Sequence, residues 1–128
     1  MKFSTKAEYG LKAMANLAAS FPIQKNLQAI SREEKISSKY LEQMIGNLRK
    51  NNLVVSTKGK NGGYTLSKNP RQIRVGEIIE ILDGAIAPMK CVGKFCAQRG
   101  TCTSSQVWDK VAEQVKRTLY KIKLSELI

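Results

Sequence analysis

Cys91, Cys96 and Cys102 crowd three thiols into one short segment with the spacing C-x4-C-x5-C, in a chain of 128 residues that contains no histidine. Thiolates are soft ligands, the kind that hold iron-sulfur cores and zinc. Gly93 and Gly100 let such a segment bend, and the positive charges of Lys90, Lys94 and Arg99 favour the ionised thiol. A cluster commonly takes four protein ligands, so with no imidazole in the chain the missing one is an oxygen, a small molecule or nothing. Zinc on three thiolates fits less well, because the paired C-x2-C spacing of structural zinc sites is absent. A thiol redox switch and three unrelated buried cysteines complete the alternatives. An odd number of cysteines cannot all pair within one chain, which argues against a disulfide framework. Met1-Lys-Phe-Ser leads into helix-like sequence with no apolar secretion segment. The expectation is therefore a cytoplasmic protein with reduced thiols.

The charge is the second feature. Twenty-two lysines and arginines stand against ten acids, a formal charge of +12. Residues 1–75 carry fourteen bases and four acids, a net of +10, whereas the remainder carries eight and six, a net of +2. The polyanion-facing surface is expected in the first part. No long apolar run or basic amphipathic tail points to a membrane. With no histidine, no GxxxxGK[ST] phosphate loop and no nucleophile triad, nothing points to hydrolase or transferase chemistry and an enzyme is not expected. At 14.3 kDa and 42% hydrophobic residues, one modest core leaves little room for a catalytic domain.

The elements that must position these groups are legible. Tyr9, Ala13, Met14, Leu17 and Ala18 recur on one face and predict a helix over about 6–19, with Thr5 and Glu8 at capping-box spacing. Pro22 interrupts, residues 27–33 read as a short helix, and Ile36-Ser37 open a third with Tyr40, Leu41, Met44, Ile45 and Leu48 inward. That pair of helices fits a helix-turn-helix. Behind it, the β-branched run 53–57, the turn Lys58-Gly-Lys-Asn-Gly-Gly63 and the strand 64–67 make a hairpin with two lysines at its tip, the wing of a winged helix-turn-helix. Val75, Ile78, Ile79 and Leu82 mark a further helix ended by Asp83-Gly84. Beyond Ser104, Trp108, Val111, Val115 and Leu119 form the stripe of a long C-terminal helix that needs a surface to lie on, a partner subunit being favoured over the chain itself. The expected fold is thus mainly α, with residues 1–83 as the DNA-binding domain and 84–128 as the cysteine loop and dimerisation helix.

In such a fold the start of the second helix of the motif faces base edges in the major groove. Ser37, Ser38, Lys39 and Gln43 are the candidates, with Glu42 accepting from a cytosine amino group or pairing with Lys39. Lys58 and Lys60 are placed to follow phosphates or enter the minor groove, and Lys2, Lys6 and Arg49 to meet phosphates.

Ser4-Thr-Lys-Ala-Glu-Tyr-Gly-Leu-Lys-Ala-Met14, Tyr40-Leu-Glu-Gln43, Gly59-Lys-Asn-Gly-Gly63, Ile73-Arg-Val-Gly-Glu77 and the three cysteines, in this order along essentially the whole chain, resemble the IscR and NsrR family of bacterial winged-helix transcription regulators. The resemblance implies a homodimer on double-stranded DNA with palindromic operators, and a cluster near the long dimerisation helix. Members sense iron-sulfur status, nitric oxide, iron or redox state, while others lack the cysteines and regulate cysteine metabolism through a partner. Cys91, Cys96 and Cys102 occupy the cluster-cysteine positions. In the iron-sulfur-biogenesis branch, with its [2Fe-2S] centre, a histidine lies three residues beyond the last cysteine, and here that place is Ser105. In the nitric-oxide-responsive branch an acidic residue of the first helix, from the other subunit, completes a [4Fe-4S] site, and Glu8 stands at the matching position. The resemblance therefore leans to the second branch, with [4Fe-4S] favoured over [2Fe-2S] and Glu8 divided between metal ligand and helix cap. The implied function is a DNA-binding regulator sensing nitric oxide, redox or iron-sulfur status. Its rivals are a DNA-binding regulator with a zinc or thiol switch, and a small iron-sulfur electron carrier, which would not need the basic wing.

Overall fold

A computed structural model describes residues 2–60, 62–86 and 103–128 of the chain. It is a mainly α winged helix-turn-helix: α1 (Thr5–Ser20), α2 (Leu27–Glu34), α3 (Ser38–Lys50), β1 (Val54–Thr57), β2 (Gly63–Leu66), α4 (Val75–Asp83) and the long α5 (Ser105–Lys121), followed by a 3-10 turn at Leu124–Leu127. None of the described helices is long and apolar enough to cross a membrane.

Local chemistry sets the helix ends. Ser4, in extended backbone, caps α1 by accepting from the Ala7 amide at 3.3 Å. The pairing of Thr5 with Glu8 as a capping box does not form. Asp83 accepts from the Ser4 amide at 2.9 Å and from its hydroxyl, which holds Ser4 as the flanking residue and makes Thr5 the first helical one. Asn26 caps α2 through the Ala29 amide at 2.7 Å, and the helix stops at Lys35 in the left-handed region. Ser37 then caps α3 through the Tyr40 amide at 3.2 Å.

The inward stripes of these helices meet in one core, in which Met14, Leu17, Ile30, Leu41, Ile45 and Leu48 are fully buried. The wing grows from its edge: β1 and β2 are antiparallel, with the Val54↔Leu66 pair buried at the base and Thr57↔Gly63 at the outer end. Lys25 adds an isolated bridge to the far side of β2, its amide donating to the Tyr64 carbonyl at 2.9 Å and its carbonyl accepting from the Tyr64 amide at 2.8 Å.

α4 lies across α1, where a Cβ on Gly10 would collide with Leu82. α5 lies on α4, with Ala112 buried and the Tyr120 ring seated where a Cβ on Gly76 would be. The last residues return to the core. Val75 donates to the Ile122 carbonyl and Leu124 to the Ile73 carbonyl, both at 2.9 Å, and the Leu124 side chain is fully buried. The rest of the α5 stripe is only partly covered: Val107 is 51% and Val111 37% exposed.

At the seam between α4 and α5 the Tyr120 hydroxyl is pushed up to about 12, first by burial and then by hydrogen bonding to, and the charge of, Glu80. A pKa raised in the folded state stabilises fully below the unfolded value near 10 and is lost as pH rises through the folded one. Replacing Tyr120 by Phe is expected to flatten the fall of melting temperature between about pH 10 and 12; an unchanged slope would contradict the assignment.

Candidate nucleic-acid interface

The surface built by α2, α3 and the wing follows from a few polar side chains. Between α2 and α3 the Ser31 hydroxyl donates to the Ile36 carbonyl, and the Ser38 hydroxyl reaches Gln28 Oε1 at 3.2 Å and Ser31 Oγ at 3.3 Å. Ser38 is therefore half-buried against α2 and fixes the angle of α3, while Ser37 is exposed with its oxygen engaged in the cap. One turn on, Lys39, Glu42 and Gln43 are exposed on one face of α3, and none has a side-chain partner among the described residues. The Lys39–Glu42 pairing weighed from the sequence is not made. Charged and amide groups held on a capped helix, facing outward and unspent, are what base-edge recognition needs.

Arg49, at the end of α3, is exposed and donates from Nη1 to Ser56 Oγ at 3.1 Å, so it braces the wing against the helix. Lys58 and Lys60 are exposed at the wing tip, where Gly59 takes φ +114, a conformation that side chains rarely adopt. The outer half of the wing is pinned by residues that the sequence did not single out. Gln24 donates to Thr57 Oγ1 at 2.9 Å. Lys25, beside its bridge to Tyr64, donates to Asn16 Oδ1 at 2.7 Å and to Glu33, and Asn16 donates to Glu33 Oε1 at 3.1 Å and Glu34 Oε2 at 2.7 Å. The Lys25 hydrogen bond, then that of Asn16, hold the Glu33 carboxyl below the ordinary range. A network joining α1, α2 and the wing gave no sequence signal.

Lys2 and Lys6 are exposed at the start of α1. This end is brought beside α3 by the edge-to-face packing of Tyr9 on Tyr40, ring centroids 5.8 Å apart. Glu8, also exposed, is released from capping and lies 3.7 Å from Lys12 in a surface pair. Its helix end is clasped to Asp83, after which Gly84 closes α4 at φ +83 and the chain enters the cysteine segment. Cys91, Cys96 and Cys102 lie outside the described residues, and among the described residues no three His, Cys, Asp or Glu side chains gather into a metal-binding group. Ser105 is the first residue of α5 and is buried.

Comparison with known proteins bears on the same surface. The model of the Rrf2 family, described as an iron-dependent transcriptional regulator, matches residues 3–128. The HTH-type transcriptional regulator IscR of Cronobacter sakazakii is 37% identical over 132 aligned residues, spanning all of this chain and 80% of the relative. A solved T. potens IscR superposes with a TM-score of 0.82 at 38% identity, over 99% of this chain and 85% of that one. CymR (YrzC), the global cysteine regulator of B. subtilis, also gives 0.82, at 34% identity over 99% and 95%. The leaning of the sequence toward the nitric-oxide-responsive branch is overturned by these matches, which carry the name IscR or CymR; one carboxylate position and one missing histidine weigh less than likeness along the whole chain. A family of transcriptional regulators also agrees with a chain that is not an enzyme. A basic winged helix-turn-helix with an unspent reading face, matched along nearly its whole length, belongs to the Rrf2 family of DNA-binding transcriptional regulators.

Proposed function

We propose that the protein is a homodimeric regulator that reads a palindromic operator with α3 and the wing, and whose grip on DNA is set by an iron-sulfur cluster. The observation that carries the reading is the row Lys39, Glu42 and Gln43, fixed by the Ser37 cap and the Ser38 bonds to α2 and left without side-chain partners among the described residues. In a major groove Lys39 and Gln43 donate to purine edges and Glu42 accepts from a cytosine amino group. Ser37 and Ser38 bring the amino end of α3 toward phosphate. Lys58 and Lys60 follow the backbone or enter the minor groove, and Lys2, Lys6 and the free guanidinium face of Arg49 neutralise phosphates.

Two copies meet through α5. Its uncovered Val107 and Val111, beside the half-buried Trp108, Val115 and Leu119, form an apolar strip suited to a two-fold partner. In this scheme residues 1–83 are the reading unit and 84–128 carry the cysteine segment and the dimer helix. Val111→Glu is expected to yield monomers in sedimentation equilibrium; a variant that stays dimeric would move the seam elsewhere.

Cys91, Cys96 and Cys102 supply three thiolates for the cluster, and Glu8 is the candidate fourth ligand. The donor set fits: with no histidine in the chain the fourth place falls to an oxygen, a small molecule or nothing, and Glu8 offers the oxygen, being 64% exposed, freed from capping and engaged in a surface ion pair of small energetic weight. Three thiolates with one weaker oxygen suit a [4Fe-4S] core, set apart at one iron, which we favour over [2Fe-2S]. When bound, such a core supplies a redox-labile group whose gain or loss reports iron-sulfur or redox status. Coupling to DNA requires that the loaded and empty proteins differ in operator affinity. α4 is the physical link, since it ends at the cysteine segment and also accepts a hydrogen bond from Asn47 of α3 at the Ile81 carbonyl, 3.3 Å away. A second reading, a cysteine-thiol or zinc switch, draws on the equal superposition on the cysteine regulator CymR.

Mössbauer spectra of anaerobically isolated protein beside Glu8→Ala are expected to show a distinct oxygen-ligated iron that the variant lacks. A colourless protein with about one zinc per chain and no iron would favour the second reading. Alanine at Lys58 or Lys60 should each lower the slope of log affinity against log salt by about one unit, equally on operator and random duplex. Unchanged slopes would remove the wing from the interface.

A further inference from the structure

α3 carries a glycine, Gly46, in its interior, where glycine weakens a helix relative to alanine because it surrenders more backbone freedom. Two things ordinarily require glycine: a positive φ or a neighbour pressed against the backbone. Neither applies. Gly46 has no positive φ, and a Cβ built on it would meet nothing within 4 Å. The contrast with Gly10 and Gly76, whose added Cβ atoms would strike Leu82 and Tyr120, is direct. No contact among the described residues accounts for Gly46.

Its place on the helix is informative. Gly46 follows Lys39 by seven residues, Glu42 by four and Gln43 by three, so it continues their row, opposite the buried Leu41 and Leu48. This face belongs to the part of the chain with a net charge of +10, which matches a polyanion. A helix about 10–12 Å across enters a major groove only about 12 Å wide, so the fit leaves little slack.

We propose that Gly46 is the clearance position of the recognition helix: lacking a side chain, it lets α3 seat deeply enough for Glu42 and Gln43 to reach base edges of double-stranded DNA. The inference rests on the reading of α3 above and adds a residue that acts by what it omits. A side chain there lifts the helix from the groove. Phosphate contacts from the wing and α1 persist in the lifted position, whereas base contacts, which need close hydrogen-bond geometry, are lost. Gly46 is thus a positioning residue for specificity, and its replacement separates stability from recognition.

The test uses a duplex recovered by selecting the wild-type protein on a randomised pool, a scrambled duplex of the same composition, and full-length Gly46→Ala, Gly46→Gln and Gln43→Ala at one salt concentration. Gly46→Ala is expected to melt a few degrees higher than wild type yet bind the selected duplex about tenfold more weakly, with Gly46→Gln weaker still and affinity for scrambled duplex kept. If both Gly46 variants keep wild-type affinity and discrimination while Gln43→Ala loses discrimination, the clearance role is overturned and the reading of α3 stands. If Gln43→Ala also behaves as wild type, the reading of α3 fails and takes the inference with it. A Gly46→Ala protein that melts lower than wild type would show that the position is not open and would equally overturn the proposal.

Discussion

The rest of the structure depends on the burial of α4 between α1 and α5. Val75, Ile78, Ile79 and Leu82 make this nine-residue helix apolar on more than one face, and the two glycines at its contacts let its neighbours come close: Gly10 of α1 lies under Leu82, and its own Gly76 under Tyr120. Close packing of this kind does not deform continuously, so a shift of one helix must be met by its neighbours. α4 also carries specific polar ties, the Ser4–Asp83 clasp to α1 and the Asn47 bond from α3. Its carboxyl end therefore joins the start of the cysteine segment to both the first turn of α1 and the recognition helix.

Charge and packing are divided in a way that suits a molecule that holds DNA. Most of the positive charge lies in the first 75 residues, and the lysines at the wing tip and the start of α1 stay exposed. Acidic groups of this part are largely spent locally, Glu33 and Glu34 on Asn16 and Lys25, and Glu8 on Lys12. Glu42 is the acid left on the reading face without a partner among the described residues. An unpaired carboxylate facing a polyanion is unfavourable unless it accepts from a base amino group, so in the proposed complex Glu42 would discriminate between sequences more than add affinity.

Much of this was legible in the sequence because periodicity and capping are local. The stripes of α1, α3 and α5, the serine that opens α3 and the glycine-rich turn of the wing all reflect interactions within a few residues. What escaped depends on distant partners. Thr5 and Ser4 are equivalent as caps until Asp83, far along the chain, is seen to hold Ser4. Lys25 looks like another surface cation until it bridges Tyr64 and gathers Asn16 and Glu33. Nothing local marks Leu124, yet its side chain completes the core. The branch is hidden for a related reason: single ligand positions carry less than likeness spread over the whole chain.

The central claim is that the state of the cysteine segment reaches α3 through α4. Hydrogen exchange of the anaerobically isolated protein, with the proposed cluster and after treatment that strips it, reads this directly. The account predicts faster exchange after stripping in the carboxyl half of α4, the first turn of α1 and α3, where amide protection depends on the shared packing. A change confined to residues 84–105, with α3 and α1 exchanging as before, would contradict it.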